Sequence, residues 1–253
     1  MTMKKRILFL FVLIIANAGY ANNLPASPVS RDISVSVYYP VNPVLKGTDA
    51  NPLARVAIYV PAGKSITYNK IYCSINGDAI NKIAKLNIFY TGSEALFSAE
   101  NSMASPAPAS RVEVPVHLSL QPGWHYIWFS ATLKPDANID GTLDFFCERL
   151  TDASNRVYRL DKPTHKIRFG VAIRKAGDDN VNTYRIPGIT TTDKGTLISV
   201  YDIRYNNSRD LPENIDVGMS RSTDGGTTWE TMKIVMDMGE PHENNGIGDP
   251  AVL

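Results

Sequence analysis

Cysteine is nearly absent from this sequence: Cys73 and Cys147 are the two present in 253 residues. Neither has a histidine or a second cysteine at ligand spacing, which argues against a thiolate metal site. An excess of one charge is missing too. The 26 Lys and Arg stand against 25 Asp and Glu, a formal net charge of +1, so the bulk charge supports neither a nucleic-acid partner nor a membrane-surface role. No stretch has the periodicity of an amphipathic helix. Long apolar runs are lacking as well, apart from one near the start, and no cofactor is implied.

That one run, ILFLFVLIIA, follows Lys4, Lys5 and Arg6 and ends in small residues. Ala16-Asn17-Ala18 and Gly19-Tyr20-Ala21 each offer a small-x-small cleavage site. The run is too short for a comfortable bilayer span, and no cysteine follows it for a lipid anchor. Residues 1–21 therefore read as a signal peptide of an exported chain, periplasmic, cell-surface or secreted, with no membrane insertion of the mature protein. In an oxidising compartment Cys73 and Cys147 have two readings, a disulfide or a pair of small core hydrophobes. Sequence cannot choose between them, because it does not give the Cα separation a disulfide needs.

What is present is short β-rich segments separated by Pro, Gly, Asn and Asp. ISVSVYYP, RVAIYVP, KIYCSI, KLNIFYTG, RVEVPVHLSL, HYIWFSATL and LDFFCERL follow one another, and Ile33-Val35-Val37 and Val112-Val114-Val116 alternate at the period of half-buried strands. About seven such runs predict a β-sandwich over 22–165. SMASPAPAS at 102–110 reads as a surface loop. Trp124, Tyr126 and Trp128 share one face of a strand, where they either fill the core or stack on sugar rings; the core reading is preferred. The charged, Pro-containing RLDKPTHKIR marks a boundary. Over 166–253 the strands FGVAIRK, TYRIPGI, TLISVYDIR, IDVGMSRS and TWETMKIVM follow at tight spacing, so the expected fold class is all-β.

Four details in the second part stand out. Arg185 sits among Tyr184, Ile186 and Ile189, in NTYRIPGI, where an always-ionised guanidinium needs an anion. Asp210 lies in NNSRDLPEN, a loop of turn formers between two strands. STDGGTTW contains Ser222, Asp224, Gly226, Thr228 and Trp229 in a pattern suited to a clasped hairpin, with Asp224 accepting N–H bonds and Trp229 anchoring the next strand. Glu240, His242 and Glu243 flank a Gly- and Asn-rich loop and read as solvated surface rather than a metal site.

STDGGTTW fits the Asp-box pattern S-x-D-x-G-x-T-W. Together with RIP at 185–187, D-x-R at 202–204 and an aspartate six residues past that arginine, all in this order, it resembles the bacterial sialidases. The preceding sandwich resembles the carbohydrate-binding-type domain attached to sialidases of Bacteroides-like bacteria. The resemblance implies a six-bladed β-propeller, of which about eighty-five residues supply one to two blades. The chain then reads as an N-terminal fragment of a longer enzyme and inactive alone.

The implied activity is exo-α-sialidase hydrolysis of terminal sialic acid from sialylated glycans, with retention. Arg185 would grip the substrate carboxylate as the first of three arginines. Asp210 would be the acid/base, Arg204 would contact the sugar's O4 side, and Asp249 would bind the C4 hydroxyl and N-acetyl region. Asp202 and Asp216 would fix the ends of the Asp210 loop. The family's nucleophile, a Tyr activated by a Glu, has no matching position here. A non-catalytic carbohydrate-binding protein is the alternative, and a trans-sialidase a third reading.

Overall fold

The computed structural model describes residues 31–239 and 245–253. The leader read over 1–21 and the Glu240, His242 and Glu243 group lie outside them. The chain divides into two compact units, one ending at Gly170 and the other beginning at Val171.

Eleven strands build the first unit: β1 (Ser34–Tyr38), β2 (Val44–Lys46), β3 (Asn51–Val60), β4 (Ile66–Asn76), β5 (Ile83–Tyr90), β6 (Ser102–Ala104), β7 (Val112–Leu120), β8 (Gly123–Leu133), β9 (Thr142–Asp152), β10 (Val157–Arg159) and β11 (Ile167–Val171). They form two sheets, ordered β1-β3-β8-β5-β6 and β2-β11-β9-β4-β7, with β10 on β9. The first sheet is antiparallel throughout, and in the second β4 runs antiparallel to β7 and β9, and β9 to β10 and β11. One face of each sheet turns inward, as period-two alternation requires. Val56, Ile58, Ile71, Ile75, Ile127, Phe129, Phe145 and Leu150 fill the shared core.

The preferred reading of Trp124, Tyr126 and Trp128 is right about burial for Tyr126 and Trp128, with Trp124 half-buried, and wrong about which core. Ile127 and Phe129, on the opposite face of β8, are the residues that enter the sandwich. Trp128 and Phe89 form a separate cluster under Phe97, and the fully buried Arg55 lies 5.3–5.7 Å from the rings of Tyr38, Tyr126 and Trp128. The chain at 91–101 roofs this second layer: Arg55 donates to the Ala95 carbonyl at 3.3 Å, and Phe97 meets Trp128 edge-on at 5.5 Å. Cation–π contact is what makes a buried guanidinium tolerable there.

Cys73 and Cys147 are register partners on β4 and β9, both buried and both free thiols. Burial pushes the Cys73 thiol up to about 12 and raises that of Cys147 as well. Of the two sequence readings, this structure shows the small core hydrophobe.

The second unit carries one four-stranded antiparallel meander, β12 (Thr183–Thr191), β13 (Leu197–Arg204), β14 (Ile215–Ser222) and β15 (Lys233–Met236), paired in sequence order. This is the arrangement of a propeller blade. Ile173, Val181, Tyr184, Tyr201 and Ile203 form its core with Trp229 and Met232 packed alongside. Gly218 leaves room for Tyr201, since a Cβ there would lie 2.6 Å from that ring. Two expected strands shrink. In FGVAIRK the strand ends at Val171 and pairs with β9 of the sandwich. Arg174 instead spends its guanidinium on Tyr201 Oη, Ser220 Oγ and the Glu230 carbonyl. In TWETMKIVM the strand starts at Lys233.

The turn after β14 is held by side chains. Asp224 accepts the Thr228 hydroxyl at 2.6 Å and the Thr228 N–H at 3.0 Å. The Ser222 hydroxyl donates to Asp224 at 2.8 Å. Gly225 and Gly226 have φ of 72° and 89°, and Trp229 donates to the Gly226 carbonyl. The Thr228 hydroxyl, then its N–H and the Ser222 hydroxyl, hold the Asp224 carboxyl down at about 2, against an ordinary 3.8. A depressed carboxyl stabilises the fold above its unfolded pKa, and that stabilisation is lost as pH falls through the folded value. Asp224→Asn is therefore expected to lower Tm at pH 7, with the gap to wild type closing between about pH 4 and pH 2. Thermal melts at stepped pH check this, and a gap that does not narrow removes the carboxylate from the account.

Candidate functional site

The RIP and D-x-R motifs and Asp210 come together at one end of β12 and β13, whereas the STDGGTTW turn follows Ser222 at the other end of the blade. Asp202 and Arg204 are two apart on β13, so both side chains emerge from the same face. Both are 1% exposed. Arg204 Nε and Nη2 donate to Asp202 Oδ2 at 3.2 and 2.7 Å. The same Nη2 reaches Asp210 Oδ1 at 2.6 Å, and Nη1 donates to the carbonyls of Ser208 and Arg209 at 3.0 and 2.6 Å. Five N–H bonds thus meet four protein acceptor atoms, Asp202 Oδ2 taking two. Burial works against the charge, but the hydrogen bonds that Arg204 donates to Asp202 and Asp210 outweigh it and raise the Arg204 pKa. Removing one partner of such a sealed pair costs about 3–5 kcal/mol.

This saturation alters the picture drawn from the resemblance. Arg204 has no donor left for the O4 side of a sugar in this geometry, and it instead supports the loop from below. Three of its five bonds fix the backbone at Ser208 and Arg209 and one oxygen of Asp210, whose side chain is 69% exposed. The loop's far end is closed by Tyr205, which donates to the buried Asp216 at 2.8 Å, and by the Tyr205 N–H to the Asn214 carbonyl.

Arg185 differs. It is half-buried, and its one hydrogen bond among the described residues runs from Nη1 to the Ser208 carbonyl at 3.2 Å. Asp202 is its register partner on β13, yet no carboxylate of the described residues lies within ion-pair distance of it. The reason is local. Asp202 already serves Arg204 through Oδ2 and takes the Asp249 N–H on Oδ1 at 2.8 Å. In addition, the β12–β13 register slips between Arg185 and Gly188, with Ile186 at φ 51°. A β-branched residue in the left-handed region costs about 1–3 kcal/mol, a strain typical of sites where one side chain must be aimed.

Asp249 joins the group through its backbone. The segment from Asn245 onward returns to β12 and β14: Ile247 donates to the Ile215 carbonyl at 2.8 Å. Gly246 and Gly248 permit the approach, because a Cβ on the first would collide with the Glu213 carbonyl and one on the second would press on Asp202. Carboxylate oxygens of Asp202, Asp210 and Asp249 come within 4.8 Å of one another. Arg204 supplies a fixed cation to two of them, so the cluster carries its own counter-charge.

Tyr184 and Tyr201 are buried in the blade core, bonded to the Asp178 carbonyl and to Ser220 Oγ. Sequence reading missed the Ser208 carbonyl, which Arg185 and Arg204 share, and the weight that Asp202 bears. The i, i+2 spacing of Asp202 and Arg204 on a strand was the signal that could have shown the second.

Chemically, the assembly offers a cation with no acid partner among the described residues, beside an exposed, braced carboxyl. Comparison with known proteins agrees with its motifs. Residues 32–155 match the family described as the N-terminal domain of BNR-repeat neuraminidase. A sialidase of Bacteroides fragilis (strain YCH46) is 34% identical over 227 residues, covering 76% of this chain and 42% of its own. An anhydrosialidase of Macrobdella decora is 42% identical over 71 residues, 28% of this chain and 9% of its own. The solved structure of a Hadza microbial sialidase aligns with a TM-score of 0.73 at 30% identity, over 85% of this chain and 47% of that one. The chain spans less than half the length of each of these relatives. With its ordered motifs, its all-β architecture and these matches, the chain belongs to the sialidase (neuraminidase) family.

Proposed function

We propose that the full-length protein bearing this chain is an exo-α-sialidase that releases terminal sialic acid from sialylated glycoconjugates with retention. The observation that carries this reading is the contrast between two arginines. Arg204 is saturated by protein acceptors, whereas Arg185, across the strands in register with Asp202, has a carbonyl and no acid among the described residues. A guanidinium fork left open suits the carboxylate of a sialic acid, which it can bind bidentately. Asp210, exposed and braced by Arg204, is in this reading the acid/base that passes a proton to the leaving oxygen and later takes one from water. Asp249 serves the C4 hydroxyl and N-acetyl side.

In this reading the nucleophilic Tyr and its Glu lie outside residues 1–253. The leader exports the protein to the periplasm, cell surface or medium, where its substrates are found. The sandwich acts as a carbohydrate-binding appendage, with the half-buried Tyr59 and Trp124, 5.2 Å apart, as its aromatic surface. The test is turnover of 3′-sialyllactose and 4-methylumbelliferyl sialoside by the full-length protein, with the anomer of the first product followed by NMR. Release of α-sialic acid as first product supports the reading. Binding of sialyllactose without turnover would place the protein among the carbohydrate-binding relatives instead.

A further inference from the structure

We infer that Asp202 is a positioning residue for the proton-transfer step, setting Asp210 through Arg204 and setting Asp249 through its backbone. The inference rests on the sialidase reading for its kinetic part and on geometry alone for its structural part. Asp202 is buried, yet each of its oxygens serves a different piece of the site. Oδ2 takes two N–H groups of Arg204, which fixes the plane of the guanidinium. The edge left over then meets Asp210 Oδ1 at 2.6 Å and two loop carbonyls. Oδ1 takes the Asp249 N–H, where Asp249 itself has φ of 56°. One carboxylate on a rigid strand therefore fixes two aspartates that approach from separate loops.

It has a second consequence for Arg185. Asp202 faces Arg185 in register, and would be its natural ion-pair partner were it not engaged by Arg204 and Asp249. The carboxylate that braces Asp210 is thereby kept away from the cation meant for substrate.

This arrangement makes a prediction that ordinary destabilisation does not. A misplaced general acid harms the departure of a basic leaving group more than that of an acidic one, because an aryl oxide needs little protonation to leave. Asp202→Asn in the full-length protein is expected to lower kcat/KM on 3′-sialyllactose at least about tenfold more than on 4-methylumbelliferyl sialoside. Arg204→Lys, which keeps the charge but loses the fork, should give the same imbalance. Asp216→Asn, at the opposite end of the loop, should lower both substrates alike. Hydrogen exchange of the Asp202→Asn variant is read without reference to activity: peptides covering 205–210 and Asp249 should exchange faster while those of β14 do not. Equal losses on the two sialosides, with unchanged exchange in both peptides, overturn the inference. If wild type turns over neither sialoside, the sialidase reading fails, and the exchange result alone decides whether Asp202 organises the site.

Discussion

Asp210→Asn is expected to reduce kcat/KM of the full-length protein toward 3′-sialyllactose by about 10²–10⁴-fold, the range a positioned general acid contributes. Asparagine preserves the shape and can still accept from Arg204 through its carbonyl, so the loop should keep its course. What is lost is the transferable proton. The alternative explanation of a rate loss, a collapsed loop, is excluded if the variant retains wild-type Tm and still binds a sialic-acid product analogue. Initial rates of sialic acid release measure the effect, and a variant within a few-fold of wild type would remove Asp210 from the chemistry.

Arg185→Ala should act differently, raising KM by about 10²-fold or more with a smaller effect on kcat. Truncating one partner of a charged, hydrogen-bonded contact costs 2–5 kcal/mol or more, most of it from leaving the other charge unpaired, here the substrate carboxylate. Because Arg185 gives the fold one hydrogen bond to a carbonyl, stability should barely move. Arg185→Lys separates charge from geometry: a lysine restores some attraction but not the two parallel N–H bonds, so its KM should fall between those of wild type and alanine. If Arg185→Ala bound sialosides as wild type does, the open cation would have no part in substrate capture.

The all-β class was legible because its strands alternate, and alternation survives without knowledge of the partner. Ile33-Val35-Val37 and Val112-Val114-Val116 are solvated on one face, so their pattern is unambiguous. β8 defeated the same logic: in HYIWFSATL both faces are buried, one by the opposite sheet and one by the 91–101 chain, so sequence could show that the aromatics were covered but not by what. FGVAIRK failed for another reason. Its apolar residues suggested a continuous strand, but Arg174 is drawn off by three polar partners of the blade, a long-range demand that no local pattern records. At the site, motif order brought forward Arg185, Asp202, Arg204, Asp210 and Asp249. The difference between a saturated arginine and an open one could not be read, because it depends on which strand register sets Asp202 against which neighbour.

The roof over Arg55 also bears on how this protein can be engineered. From composition, TGSEALFSAEN looks like an expendable connection, the kind into which a tag is inserted or from which residues are trimmed. Its backbone is stitched to β8 through Thr91, Gly92 and Tyr126, and it contributes both the carbonyl that solvates a sealed cation and the ring that caps a tryptophan. Lengthening it would break those contacts and bring water to the Arg55 guanidinium rather than extend a tether, and SMASPAPAS is no substitute, because Ser102–Ala104 is β6 on the edge of the sheet.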